Sequence, residues 1–69
     1  MVSKEEIGKR LTELRNAAGK TQRQVANDNG ISVSAIAMYE AGKRIPRDEV
    51  KVSLANYFHR SIGEIFFAP

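Results

Sequence analysis

Gln22-Arg23-Gln24-Val25-Ala26-Asn27-Asp28-Asn29-Gly30-Ile31-Ser32-Val33-Ser34-Ala35-Ile36-Ala37-Met38-Tyr39-Glu40-Ala41 decides the fold. It reads as two short helices meeting at Gly30-Ile31-Ser32, a bend that must be tight for the second helix to project outward. Gly30 reaches positive φ at little cost, where a Cβ resists it. Ala26 is small where the helices cross, and Ile31 and Ile36 anchor the bend to a core. Ser32 is a good N-cap for the second helix, which should end near Ala41 with Gly42 as its stop. Its inward face is Ala35, Ile36 and Tyr39. Ser32, Val33, Ser34, Ala37 and Met38 are left outward.

Outside this unit, three capping boxes punctuate the chain: Ser3 with Glu6, Thr21 with Gln24, and Ser61 with Glu64. The first opens a helix carrying Ile7, Leu11, Leu14 and Ala18 on one face, closed by Gly19. The second opens the helix from Gln22 to about Asn29, with Val25 and Ala26 inward. Pro46 pushes Ile45 out of helical geometry. Asp48 and Glu49 then favour the positive end of a fourth helix, whose apolar stripe is Val50, Leu54, Tyr57 and Phe58. The third box opens a short fifth helix with Ile62, Ile65 and Phe66. No β-type alternation, repeat or low-complexity tract interrupts this pattern. The expectation is an all-α, five-helix single domain over residues 1–69.

Composition narrows the function. With 69 residues there is one thin core, and folding removes only ~60% of the unfolded chain's surface. The chain has no cysteine, so disulfides and thiolate metal sites are excluded and a reducing cytoplasm is the expected setting. His59, the one histidine, builds neither a metal site nor a catalytic pair. No nucleophile–base pair, carboxylate dyad or phosphate loop points to an enzyme, a cofactor or a small-molecule ligand. No apolar run approaches the ~20 residues of a membrane helix, and no signal-peptide pattern is present. The net charge is +3 and the isoelectric point about 9.6, compatible with a polyanionic partner. Lys43, Arg44 and Arg47 concentrate that charge directly after the outward helix. A projecting short helix beside a basic loop points to DNA binding.

Thr21-Gln22-Arg23-Gln24-Val25-Ala26, then Gly30-Ile31-Ser32-Val33-Ser34-Ala35-Ile36, then Tyr39-Glu40-Ala41-Gly42-Lys43-Arg44-Ile45-Pro46 resemble the lambda-repressor and Cro-like (XRE) helix-turn-helix family. The likeness extends to Leu14-Arg15 upstream and to Leu54-Ala55, Phe58 and Ile65-Phe66 downstream. It implies a lambda-repressor-like domain with its motif at about 22–41, a recognition helix in the major groove, and a homodimer on a near-palindromic DNA operator. Asn29, Val33, Met38, Asp48 and Lys51 depart from the residue types usual in the family. With Asp48 and Lys51 in place of apolar residues, the fourth helix is expected to rotate slightly, Val50 taking the core role.

On this reading Thr21, Gln22 and Arg23 meet a phosphate at the start of the second helix, where free N–H groups and the helix dipole favour an anion. Lys43, Arg44 and Arg47 grip flanking phosphates; Lys9 and Arg10 are weaker candidates. Ser32, Val33, Ser34, Ala37 and Met38 face the bases. With no Arg, Asn or Gln among them, readout is expected to rest on thymine methyl groups and DNA shape. Arg15 and Glu40 resemble the family's ion pair joining the first helix to the third. Phe66 and Phe67 are candidates for a dimer contact, one ring capping the core. Met1 and the small size fit a stand-alone regulator, a repressor of the phage or mobile-element kind. The alternative is a protein-interaction module, such as an antitoxin-like partner with weak or no base readout. Tyr39 and Tyr57 read as core, which argues against RNA stacking.

Overall fold

A computed structural model describes all residues, 1–69. The chain forms α1 (Lys4–Ala17), α2 (Gln22–Asp28), α3 (Val33–Glu40), α4 (Asp48–Tyr57) and α5 (Ile62–Phe66), with no strand. Side-chain caps set four of the five starts. The Ser3, Thr21, Ser32 and Ser61 hydroxyls accept from the backbone N–H three residues on. The boxes of Thr21 with Gln24 and of Ser61 with Glu64 are reciprocal. The expected box at Ser3 closes on one side only, because the Glu6 carboxylate faces Arg10 at 3.4 Å instead.

Each of the first four helices ends in the same way. A left-handed residue follows the cap, and the next N–H reaches back five residues: Lys20 to Arg15, Ile31 to Ala26, Lys43 to Met38, Arg60 to Ala55. Glycine supplies the left-handed residue three times. After α4 it is His59, at φ 57°.

The core gathers Ile7 and Leu11 of α1, Val25 and Ala26 of α2, and Ala35, Ile36 and Tyr39 of α3. It is completed by Val50, Leu54 and Ala55 of α4 and Ile65 and Phe66 of α5. α3 packs against both α1 and α2, and α5 against α1 and α4. The α1 stripe is shorter than its period implied. Leu14 is half-buried, while Ala18 is the exposed C-cap, past the last turn that touches the core. Tyr57 and Phe58 are likewise half-buried, their rings meeting edge-on at 5.0 Å. The Tyr57 hydroxyl donates to Asp28 at 2.7 Å, tying α4 to the end of α2; that bond raises the phenol above its ordinary pKa.

α4 carries Val50 inward as expected, but Lys51 is buried beside it. The Lys51 stem lies against the body, and Nζ reaches Asp48 at 3.6 Å and the Met1 sulfur at 3.7 Å, over the Phe67 ring at 5.3 Å. A long amphipathic side chain thus takes an apolar position and keeps its charge at the rim.

Candidate nucleic-acid interface

α3 presents a narrow outward stripe. Ser34, Met38 and Ala41, at i, i+4 and i+7, are exposed, and Ala37 beside them is half-buried. Ser32 is also exposed, although its hydroxyl is engaged with the Ala35 N–H. Val33 differs from the expectation. It sits three residues before Ile36 on the same helix face, so its side chain packs against the core and only part of it is free. The face available to a groove therefore runs through Ser34, Ala37, Met38 and Ala41. Ala41, the C-cap of α3, continues the same period and adds its methyl group to this face.

The two ends of the two-helix unit meet around Glu40. Its side chain is 8% exposed and accepts from Arg15 Nε at 2.7 Å, Arg15 Nη2 at 3.0 Å and Gln22 Nε2 at 3.1 Å. Arg15 Nη1 also donates to the Lys20 carbonyl. The bond to Glu40 raises the Arg15 pKa against the opposing cost of desolvation. One consequence is that the Gln22 amide is already committed to Glu40. What the start of α2 offers an anion is backbone: the capping box uses the N–H groups of Thr21 and Gln24, leaving those of Gln22 and Arg23 unpaired.

The basic loop is fixed to the same end of α3. The Lys43 N–H donates to the Met38 carbonyl, and the Arg44 guanidinium lies 5.9 Å from the centre of the buried Tyr39 ring. Lys43, Arg44 and Arg23 are exposed and make no ion pair closer than 4.0 Å. Arg47 pairs with Glu49 at 3.0 Å, both side chains in solvent, a contact of about 0–1 kcal/mol that leaves the cation accessible.

Arg10 leaves the set of phosphate candidates. Its Nη1 donates to the Glu64 and Ile65 carbonyls at 2.9 and 3.3 Å, closing the C-terminal end of α5. Phe66 leaves the set of dimer contacts: it is fully buried as the core ring, and its carbonyl accepts from the Val2 N–H. Phe67 alone is outward, 47% exposed.

Two contacts had no clear signal in the sequence. Asn29 accepts from Ser53 of α4 at 2.7 Å and donates to the Val25 carbonyl at 2.8 Å, so the polar residue before the turn is a clasp. Gly8 lies against the end of α3, where a Cβ would stand 2.6 Å from the Tyr39 and Glu40 carbonyl oxygens. No helix is long and apolar enough to cross a membrane.

A family described as "Helix-turn-helix domain" matches residues 6–65. A transcriptional repressor, RstR of the cryptic phage CTXphi of Vibrio cholerae, is 39% identical over 59 residues, covering 86% of this chain and 53% of that protein. The HTH-type transcriptional regulator PuuR of Escherichia coli is 36% identical over 62 residues, 90% of this chain and 34% of its own length. The chain thus spans about half of the first of these curated relatives and about a third of the second. Among solved structures, the restriction-modification controller protein C.AhdI of Aeromonas hydrophila superposes with a TM-score of 0.84 at 30% identity, covering 91% of this chain and 96% of its own. The clp gene regulator ClgR of Corynebacterium glutamicum shares the fold at a TM-score of 0.84 and 22% identity, over 94% of this chain and 69% of its own. Fold, motif spacing and relatives agree: the chain belongs to the helix-turn-helix domain family, in its lambda-repressor and Cro-like form.

Proposed function

We propose that the domain binds double-stranded DNA, setting α3 in the major groove, and acts as a sequence-specific transcriptional regulator, a repressor of the phage or mobile-element kind. The observation that carries this reading is the exposed stripe of Ser34, Met38 and Ala41, with unpaired cations and the free N–H groups of α2 gathered at its C-terminal end. The cations and the α2 N-terminus hold phosphates and set register without reading sequence. The Ser34 hydroxyl bonds a base edge, while Ala37 and Met38 meet thymine methyl groups. Val33 contributes the part of its surface that the core leaves free.

A homodimer on a near-palindromic operator completes the proposal, its recognition helices about 34–36 Å apart, one turn of B-DNA. Phe67 is the contact proposed for its interface. The names of the phage repressor and of PuuR favour transcriptional control, and a DNA-binding role is in keeping with a cytoplasmic protein held at the nucleoid. Selection of bound genomic fragments, followed by titration of the selected sites with and without random competitor DNA, tests the reading. Specific binding should weaken when half-site thymines are replaced by uracils; unchanged affinity counts against methyl-led readout. The apolar stripe of Ala37 and Met38 favours one other reading, an antitoxin-like protein-interaction module, and binding abolished by random competitor would select it.

A further inference from the structure

Asn29 and Gly30 form the turn of the motif, and they are also the residue pair most prone to spontaneous deamidation, since glycine leaves its nitrogen unhindered. We infer that Asn29 is a latent modification site, and that its clasp to Ser53 and Val25 holds it unreacted in the folded domain. In the reaction the Gly30 nitrogen loses its proton to solvent base and bonds to the Asn29 side-chain carbon. The side-chain nitrogen takes up a proton and leaves as ammonia, giving a succinimide. Water, the one co-reactant, then opens either imide C–N bond. One opening gives Asp, the other isoaspartate, in which the main chain runs through the side-chain carbon and gains one atom.

The fold blocks the first step in three ways. The carboxamide is held at both ends, its nitrogen on the Val25 carbonyl and its oxygen on the Ser53 hydroxyl. The Gly30 N–H is donated to the Asn27 carbonyl at 3.3 Å. Asn29 sits at ψ 4°, and ring closure needs a large rotation about that bond to bring the Gly30 nitrogen over the carboxamide carbon. Reaction therefore requires local opening of the turn. Conversion removes the donor to Val25, adds a negative charge, and in the isoaspartyl form lengthens the bend that sets α3 against α2. The chain supplies its own comparators in Asn16, Asn27 and Asn56, followed by Ala17, Asp28 and Tyr57.

Peptide mapping by mass spectrometry after incubation at mildly alkaline pH tests the inference, independently of DNA binding. In urea, Asn29 should convert faster than the other three. In the folded protein its rate should fall at least ~10-fold, the effect of an opening free energy of about 1.4 kcal/mol. Ser53→Ala should speed conversion in the folded state about 5-fold, the equivalent of one hydrogen bond of ~1 kcal/mol, and Ser53→Thr should restore protection. Equal rates for Asn29 folded and unfolded overturn the inference, as does a comparator outpacing it in urea. So does a folded Ser53→Ala protein that matches the wild type. If Ser53→Ala does not fold, wild type in sub-denaturing urea replaces it: conversion should rise with urea, and a flat series sinks the idea.

Discussion

Glu40 accepts both Nε and Nη2 of Arg15, at 2.7 and 3.0 Å, and so joins α1 to the last turn of α3. Gln22 binds the same carboxylate from the start of α2, so three helices meet on one nearly buried charge. Removing the acid leaves the guanidinium poorly solvated and unpaired. Glu40→Ala should therefore cost about 3 kcal/mol, read as a lower urea midpoint at unchanged slope. A stable variant with altered base preference would show that the carboxylate reads DNA rather than holding the fold.

Gly8→Ala should destabilise although alanine is the better helix former by about 1 kcal/mol. The added methyl meets carbonyl oxygens of α3 at 2.6 Å, and both partners are backbone, so a helix must move. Overpacking of this kind costs ~1–3 kcal/mol. A thermal melt settles it: a melting temperature equal to or above that of the wild type would mean that α1 and α3 have slack at their crossing.

These two sites show what the sequence carries and what it does not. Helix starts, helix stops and inward stripes were legible because caps, glycines and a 3.6-residue period are local signals, readable at Thr21, Gly30 or Ile36. The resemblance of the motif brought the Arg15–Glu40 pair with it. Long-range partners left no such mark. Nothing local marks Gly8 as the point where α1 meets the end of α3, and nothing local separates Arg10, a phosphate candidate by type, from the cation that closes the end of α5. Phe66 and Phe67 were indistinguishable by type; one residue of helical rotation put the first in the core and the second in solvent.

His59→Gly should stabilise the domain. At φ 57° the histidine occupies the left-handed position that glycine takes after α1, α2 and α3, with a cost of roughly 1–2 kcal/mol for a residue bearing a Cβ. The larger freedom of glycine in the unfolded chain offsets part of that, leaving a net gain of about 0.5–1 kcal/mol. Chemical denaturation of the two proteins side by side measures the difference, and a loss of stability would mean that the imidazole makes a contribution larger than its backbone strain.

Cations that touch phosphate and cations that hold the fold should separate by salt dependence. If the proposed dimer neutralises ~3 phosphates per subunit, its log–log salt slope should be about −5. Lys43→Ala should make it shallower by about 2, since each of two copies gives up one phosphate at ~0.9. Arg10→Ala should leave the slope alone and cost about 1 kcal/mol of stability, because its guanidinium closes the end of α5. The reverse pattern, measured by fluorescence anisotropy across a salt series, would move the interface to the other side of the domain.

Acid should weaken the start of the C-terminal helix. The Glu64 carboxylate accepts the Ser61 N–H at 2.8 Å, and that backbone bond, more than the Ser61 hydroxyl or nearby Arg60, holds its pKa below the ordinary value. For an acid depressed on folding, the linked stability is fully present above the unfolded pKa and is lost as pH falls through the lower, folded one. Glu64→Gln keeps an acceptor for the Ser61 N–H and removes the titration. The wild type should therefore lose its advantage over Glu64→Gln as the pH drops through the carboxylate range, with no change in the difference between pH 6 and pH 8, where Glu64 stays ionised in both states. Unfolding curves collected across that range decide the point, and parallel pH profiles for the two proteins would show that the box draws nothing from the charge.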